Sequence, residues 1–463
     1  MQRLLVVNVY RRRFHSHTCL KLVSLAIAFS LLGCSAENGD SDVLSLMALG
    51  QSSSARHQPG PVSETIDDAA VVCDWPNLFG PTFDCRVPGP LLRTSWGNEG
   101  PPELWRREVG RGYSSPIIVR GKVIVQHREG DEEVILCCDA ADGTTLWEHR
   151  YPSSFKCEVN YTDGPYSTPA SDGQLVFAIG AEGKMHCLEL ITGKVVWKRD
   201  LKSEFDAAIR LYGIGHSPLL WQDKLYVNVG GETNHTGIVC FQKQSGKVIW
   251  SATDDGSSYS TPRIARIHDR DWLFVLTHQR GIALDPRDGT ERWDIPLGVQ
   301  IADAENAVAP LIYRDTVTFS SYGNGTVCSR IMPDGSREEL WFSRRSLTTQ
   351  YTPLVCIDGY AYGFHCGDHS YRCIDIESGE MLWRNKGKLK RSMVGVTGDA
   401  MILFDETGRL ASIEVNPRQF NLLSISRPLF SNARCFASPA FSDQRLYLRS
   451  EGQLVCLDMR RSP

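Results

Sequence analysis

The sequence is short of the patterns that announce a chemistry. It holds no His-Glu-x-x-His, no paired Cys-x-x-Cys, no Gly-x-Ser-x-Gly and no phosphate-cradling glycine loop, which removes the commonest zinc-hydrolase, thiol-redox, serine-hydrolase and nucleotide-binding readings. A large excess of charge of one sign is missing too. The formal net charge is -4, and because residues 1–33 carry five Lys/Arg and no Asp/Glu, the remainder stands near -9. No basic face is advertised, so nucleic acid is not an expected partner. The longest apolar run, Leu22 to Leu32, falls short of the roughly 20 residues a membrane-spanning helix needs.

What the sequence has is a repeat. Trp147, Trp197, Trp250, Trp293 and Trp383 each stand four residues after a glycine, namely Gly143, Gly193, Gly246, Gly289 and Gly379. Ahead of these blocks sit Pro116, Pro169, Pro218, Pro262 and Pro353, in phrases such as Tyr166-Ser167-Thr168-Pro169 and Tyr259-Ser260-Thr261-Pro262. Successive openings lie about 42 to 53 residues apart, the spacing of propeller blades or solenoid units. With 40 Gly, 11 Trp and 15 Tyr, the composition suits β-strands joined by tight turns.

Eight openings are expected, near Tyr113, Tyr166, His216, Tyr259, Val308, Tyr351, Ser392 and Phe436. Each starts four strands, the last pair joined by a turn in which Gly tolerates positive φ. Two copies are irregular. The fifth has Asp334-Gly335 with Trp341 two residues late, and the seventh has Asn416-Pro417 in place of the glycine turn. The eighth stops after Leu454-Val455-Cys456-Leu457-Asp458, whereas Leu104-Trp105-Arg106-Arg107-Glu108-Val109 reads as a last strand with no repeat before it. Joining the two closes the ring and removes its edges. The fold class expected is therefore all-β, an eight-bladed propeller of four-stranded antiparallel blades closed by an N-terminal strand.

Before the repeat lies an address. Arg11, Arg12, Arg13 and Lys21 precede the short apolar run, the pattern of an export signal, and Leu31-Leu32-Gly33-Cys34 resembles a bacterial lipobox. Cys34 is the expected lipidation site, and Ser35 carries no aspartate-type retention signal, which favours the outer membrane. The expected divisions are a signal peptide over 1–33, a lipid anchor and flexible linker over 34–72, a cap over 73–103 and the propeller over 104–463. The cap opens with Trp75-Pro76-Asn77-Leu78-Phe79-Gly80-Pro81, expected to plug or staple one face, and Cys73 and Cys85 bracket it as a possible disulfide.

These repeats resemble those of the PQQ-like β-propeller superfamily, over about residues 104 to 459, and Trp75 to Pro81 resembles an opening common in planctomycete members, with Phe79 standing where Arg is usual. Two branches share the repeat: quinoprotein dehydrogenases, and lipoprotein scaffolds similar to the outer-membrane assembly factor BamB. The quinoprotein branch has an adjacent disulfide-bonded cysteine pair, which brings Cys137-Cys138 into question. Repeat alignment places Cys137 in a column of small residues with Cys187, Cys240, Ala283, Ser329, Cys373, Ser412 and Cys456, and Cys138 in an apolar slot with Leu188 and Phe241. Both therefore read as packing. Of the histidines, only His365-Cys366-Gly367-Asp368-His369 has ligand-like spacing, and it falls on a turn of the sixth copy.

Function is expected on the longest loops leading into innermost strands, Tyr151 to Pro165, Leu201 to Gly215 and Leu297 to Ala307. Their candidates for a binding surface are Tyr161, Asp163, Asp206, Arg210, Tyr212, Asp303, Glu305 and Asn306, joined by Arg391 and Arg434 at the openings of copies seven and eight. No catalytic residue, metal site or cofactor is expected. The resemblance implies a binding or scaffolding module, a monomer, tethered in the bacterial envelope and meeting envelope proteins or peptide segments. Its alternative implication is a PQQ-dependent oxidoreductase using calcium.

Overall fold

The computed structural model describes residues 74–159, 161–299, 305–431 and 433–461. The expected export signal and linker, with Cys34 and Cys73, lie outside the described residues. Cys85 is a buried, free thiol whose pKa burial pushes up to about 12.

Eight four-stranded antiparallel sheets form the body. Blade 1 is made of Ile117–Val119, Lys122–Glu129, Glu132–Asp139 and Thr145–Pro152, and blade 2 of Ala170–Ser171, Leu175–Ile179, Lys184–Glu189 and Val195–Asp200. The remaining blades repeat that order outward from the axis. Three strands of blade 8, Ala440–Ser442, Arg445–Arg449 and Gln453–Asp458, take Glu103–Glu108 as their outermost strand, with Trp105 opposite Cys456. The expected closure is present. Among the described residues there is one helix, Leu201–Phe205, started by Asp200, whose side chain accepts from Ser203 N.

One device is repeated between blades. The outer-strand tryptophan of one blade lies over the turn of the next, against its glycine where the turn has one, and donates its indole N–H to a carbonyl there. Trp105 reaches Ala140 O at 3.1 Å, Trp147 reaches Leu190 O at 2.9 Å, Trp197 reaches Lys243 O at 2.8 Å and Trp383 reaches Asn416 O at 2.8 Å. A Cβ on Gly193 would stand 2.6 Å from the Trp147 ring, and Gly193 has φ +70°, so the turn needs glycine for both space and conformation.

Blade 5 breaks the device. Its longer turn puts Gly335 against Arg270 instead of Trp293, and the Trp293 indole N–H is left buried without a hydrogen-bond partner. The same extra residues correct the cysteine column: Cys328, not Ser329, pairs with Trp341, as Cys137 pairs with Trp147 and Cys373 with Trp383. A strand irregularity follows each of these pairs. Cys137, Cys187, Cys240, Cys328, Cys373 and Cys456 are all fully buried and free. Cys138 packs in an apolar cluster with Leu136, Trp105 and Cys456, distinct from the one that holds Cys137.

The cap crosses the axis. Trp75 exchanges backbone hydrogen bonds with Ile118 of blade 1 at 2.8 and 3.0 Å, and Val87 N reaches Val396 O of blade 7 at 2.7 Å. Further on, Trp96 N meets Ser424 Oγ at 3.0 Å. Ser424 lies opposite Ser412 in blade 7, where other blades place tryptophan opposite cysteine or, in blade 4, alanine, so Trp96 arrives beside the one outer strand that lacks its own.

Candidate functional site

Each innermost strand begins on the face bearing the long loops, and its first residues alternate around the axis. In Tyr166-Ser167-Thr168, residues 166 and 168 line the central channel while Ser167 is buried on the other side. The strand period of two explains the alternation. It repeats around the ring and produces two tiers.

The upper tier is an aromatic collar. Tyr113 packs edge-on against Tyr166 at 5.2 Å and against Phe436 at 4.9 Å, Tyr351 packs against Phe436 at 5.3 Å, and Tyr212 packs against Tyr259 at 5.7 Å. Tyr161 packs onto this arc against Tyr212 at 5.4 Å and remains 42% exposed. Centroid separations of this kind are those preferred by aromatic pairs. Gly215 occupies the collar position of blade 3 because a Cβ there would stand 2.3 Å from the Tyr259 ring.

Below it runs a tier of hydroxyls that ties blades together. Ser438 N donates to Ser115 Oγ at 2.7 Å, Ser115 N to Thr168 Oγ1 at 3.1 Å, Thr168 N to Ser217 Oγ at 3.0 Å, and Ser217 N to Thr261 Oγ1 at 3.0 Å. The tier stops where Ala309 and Met393 stand in blades 5 and 7. Leu78 and Phe79 of the cap line the far end of the same cavity, whose volume is about 200 Å³. Arg263 lies 4.8 Å from the Phe79 ring centroid, its pKa lowered to about 10 by burial.

Charges at the rim are paired. His278 Nδ1 lies 2.9 Å from Glu305 Oε2, and Arg210 lies 3.8 Å from Glu305 and 3.0 Å from Glu232. Arg391 donates to Glu406 at 2.9 Å and to Gln350 at 2.7 Å and lies 5.3 Å over the Tyr351 ring, as Arg434 lies 5.1 Å over the Tyr161 ring. Burial raises the pKa values of the Tyr113, Tyr166, Tyr259 and Tyr351 phenols, so the collar is neutral.

Of the residues singled out from sequence, Tyr161, Tyr212, Glu305 and Arg391 line this cavity, with Arg210 and Arg434 held against its rim. Three others have different work. Asp163 braces its own loop by accepting from Cys157 N at 2.8 Å. Asp206 ends the short helix in a left-handed conformation. Asn306 is buried, its amide donating to Thr277 O at 2.8 Å and Leu297 O at 3.2 Å. Asp303 lies outside the described residues. Sequence reasoning missed Tyr113, Tyr166, Tyr259, Tyr351 and Phe436 as site residues, although the alternation of Tyr-Ser-Thr-Pro marked them.

His365 and Asp368 take structural partners: Thr348 N donates to His365 Nδ1 at 2.9 Å, and Asp368 pairs with Arg372 at 2.8 Å. Among the described residues no group of three or more His, Cys, Asp and Glu could hold a metal.

The family described as outer membrane protein assembly factor BamB matches residues 130–385. The chain belongs to this family. A BamB from Yersinia pestis is 23% identical over 268 residues, an alignment spanning 55% of this chain and 63% of that protein. The crystal structure of BamB from Moraxella catarrhalis superposes with a TM-score of 0.57 at 16% identity, covering 78% of this chain and 100% of that one. Quinohemoprotein alcohol dehydrogenase from Comamonas testosteroni gives 0.56 at 12% identity, covering 84% and 82%. Likenesses this distant establish the fold alone. A calcium-held quinone does not fit the donors: Glu305 is the sole carboxylate lining the cavity among the described residues. The Cys137-Cys138 pair lies buried between strands, not on the channel.

Proposed function

We propose that this protein is a non-catalytic binding and scaffolding propeller of the bacterial envelope, anchored by an acylated Cys34 and facing the periplasm from the outer membrane. Membership of the BamB family, over residues 130–385, carries this reading. The geometry is consistent with it. A closed ring of eight sheets is a stiff platform, and the loops of one face carry arginines, carboxylates and an exposed tyrosine, the mixture that polar protein contacts use. Partners are envelope proteins or extended peptide segments engaging that face, and the protein works as a monomer without a cofactor.

Photocrosslinking groups placed at Tyr161 and Arg434 in intact cells test the reading. Recovery of envelope proteins from these positions, but not from Glu338 on an outer strand, is the expected result. No crosslinked envelope protein from either loop position would count decisively against it. The anchor is checked separately: radiolabelled palmitate should enter the wild-type chain and not Cys34→Ala, and membrane retention should be lost in that variant.

A further inference from the structure

We propose that the central channel is a binding site for one neutral pyranose ring, a free sugar or the terminal residue of a glycan. Two features of the channel select that chemistry together. The collar offers tyrosine and phenylalanine rings, Tyr113, Tyr166, Tyr259 and Phe436 among them, and flat aromatic surfaces suit the C–H faces of a sugar. Beneath the collar, Ser115, Thr168, Ser217 and Thr261 are each at most 5% exposed. Each of their oxygens accepts an N–H from the neighbouring blade, and none of these hydroxyls donates a hydrogen bond to another described residue. A hydroxyl both donates and accepts, so each retains a proton for a guest. A ring of buried donors under an apolar collar calls for a ligand with oxygen acceptors spaced around a compact, partly apolar ring.

Size and charge narrow it further. The cavity of about 200 Å³ has room for a single hexose, and Leu78 and Phe79 line its far end. An anion would approach the Glu305 carboxylate, and a cation would approach the Arg391 guanidinium. Both groups are already paired, with His278 and Glu406 respectively, so a neutral guest disturbs neither. An aromatic peptide side chain would fill the collar but leave the hydroxyl protons unsatisfied at depth, an unfavourable burial. Convergent polar groups in an otherwise apolar, preformed cavity are the usual make-up of a small-ligand site.

The test uses the purified full chain without any partner, so its outcome is independent of the scaffolding role. Saturation-transfer NMR and calorimetric titration are run with methyl β-D-glucopyranoside, methyl β-D-galactopyranoside and N-acetylglucosamine, and with Gly-Phe-Gly as the peptide competitor. Saturable binding of at least one pyranose is expected, weakened about tenfold or more by Thr168→Val and abolished by Ala307→Trp, which fills the channel from its wall. Near-ultraviolet dichroism of both variants must match the wild type, so that loss of binding is not loss of fold. Glu338→Gln, on an outer strand away from the channel, should bind as the wild type does. Absence of binding by all three sugars, binding that survives Ala307→Trp, or binding of Gly-Phe-Gly alone would each overturn the proposal.

Discussion

Trp147 lies flat on Gly193: a Cβ at that glycine would fall 2.6 Å from the indole, and the indole N–H reaches Leu190 O at 2.9 Å. Trp147 thus makes a van der Waals seal with Gly193 and a hydrogen bond with Leu190 of the same neighbouring blade. Gly193→Ala forces a methyl into the ring at φ +70° and should cost roughly 2–4 kcal/mol, combining left-handed strain with overpacking. Chemical denaturation measures it; a loss below about 0.5 kcal/mol would mean the seal is soft.

The irregular fifth blade supplies an internal control. Trp147→Phe removes a made hydrogen bond and should destabilise by about 1 kcal/mol beyond the volume lost. Trp293→Phe removes a buried N–H that has no partner, so its volume cost is offset and the variant should be clearly the milder of the two. Equal losses in parallel urea titrations would contradict this.

Thiol chemistry separates packing from redox. Burial pushes Cys137 up to about 12 and Cys138 up to about 11, so neither forms the reactive thiolate at neutral pH. Alkylation of the native protein should spare both and label the partly exposed Cys157 first. Cys137 and Cys138 should become reactive on adding denaturant alone; a requirement for reductant would instead reveal a disulfide between them.

Acid should weaken the fold through its buried histidines. Burial lowers His216 to about 4 and His186 to about 3, against about 6.5 in an unfolded chain. Below pH 6.5 the unfolded state binds protons that the folded state refuses, so stability falls as pH falls, by up to about 1.4 kcal/mol per pH unit for each histidine, until the folded values are reached. Above pH 6.5 these groups contribute no slope. His216→Gln should flatten the pH 4–6.5 limb of the stability profile, and an unchanged limb would assign the acid loss elsewhere.

The repeat made the architecture legible because period, turn glycine and tryptophan are local signals that recur. Trp105 was placeable for the same reason, since an orphan strand and a missing strand fit one another. Counting back from glycine failed once, at Ser329, because an extended turn breaks the fixed spacing that the count assumes, and Cys328 holds the position. The collar was harder to see. Tyr166 and Tyr259 served as markers of where blades begin, and only the ring arrangement brings side chains some 50 residues apart in sequence into one tier. Asn306 shows the opposite error: a polar loop residue that reads as surface is spent on holding carbonyls of the preceding blade.

The pairing of Trp105 with Cys456 also sets an order of events during synthesis. Every other sheet can form as soon as its own stretch of chain has emerged, whereas the sheet holding Glu103–Glu108 must wait for strands that arrive last. Contacts so distant in sequence are slow to form. Until then the first strand and the three inner strands of its blade each present a raw edge, so the interval before the ring shuts is when this chain is most open to chaperones, proteases and neighbouring copies of itself.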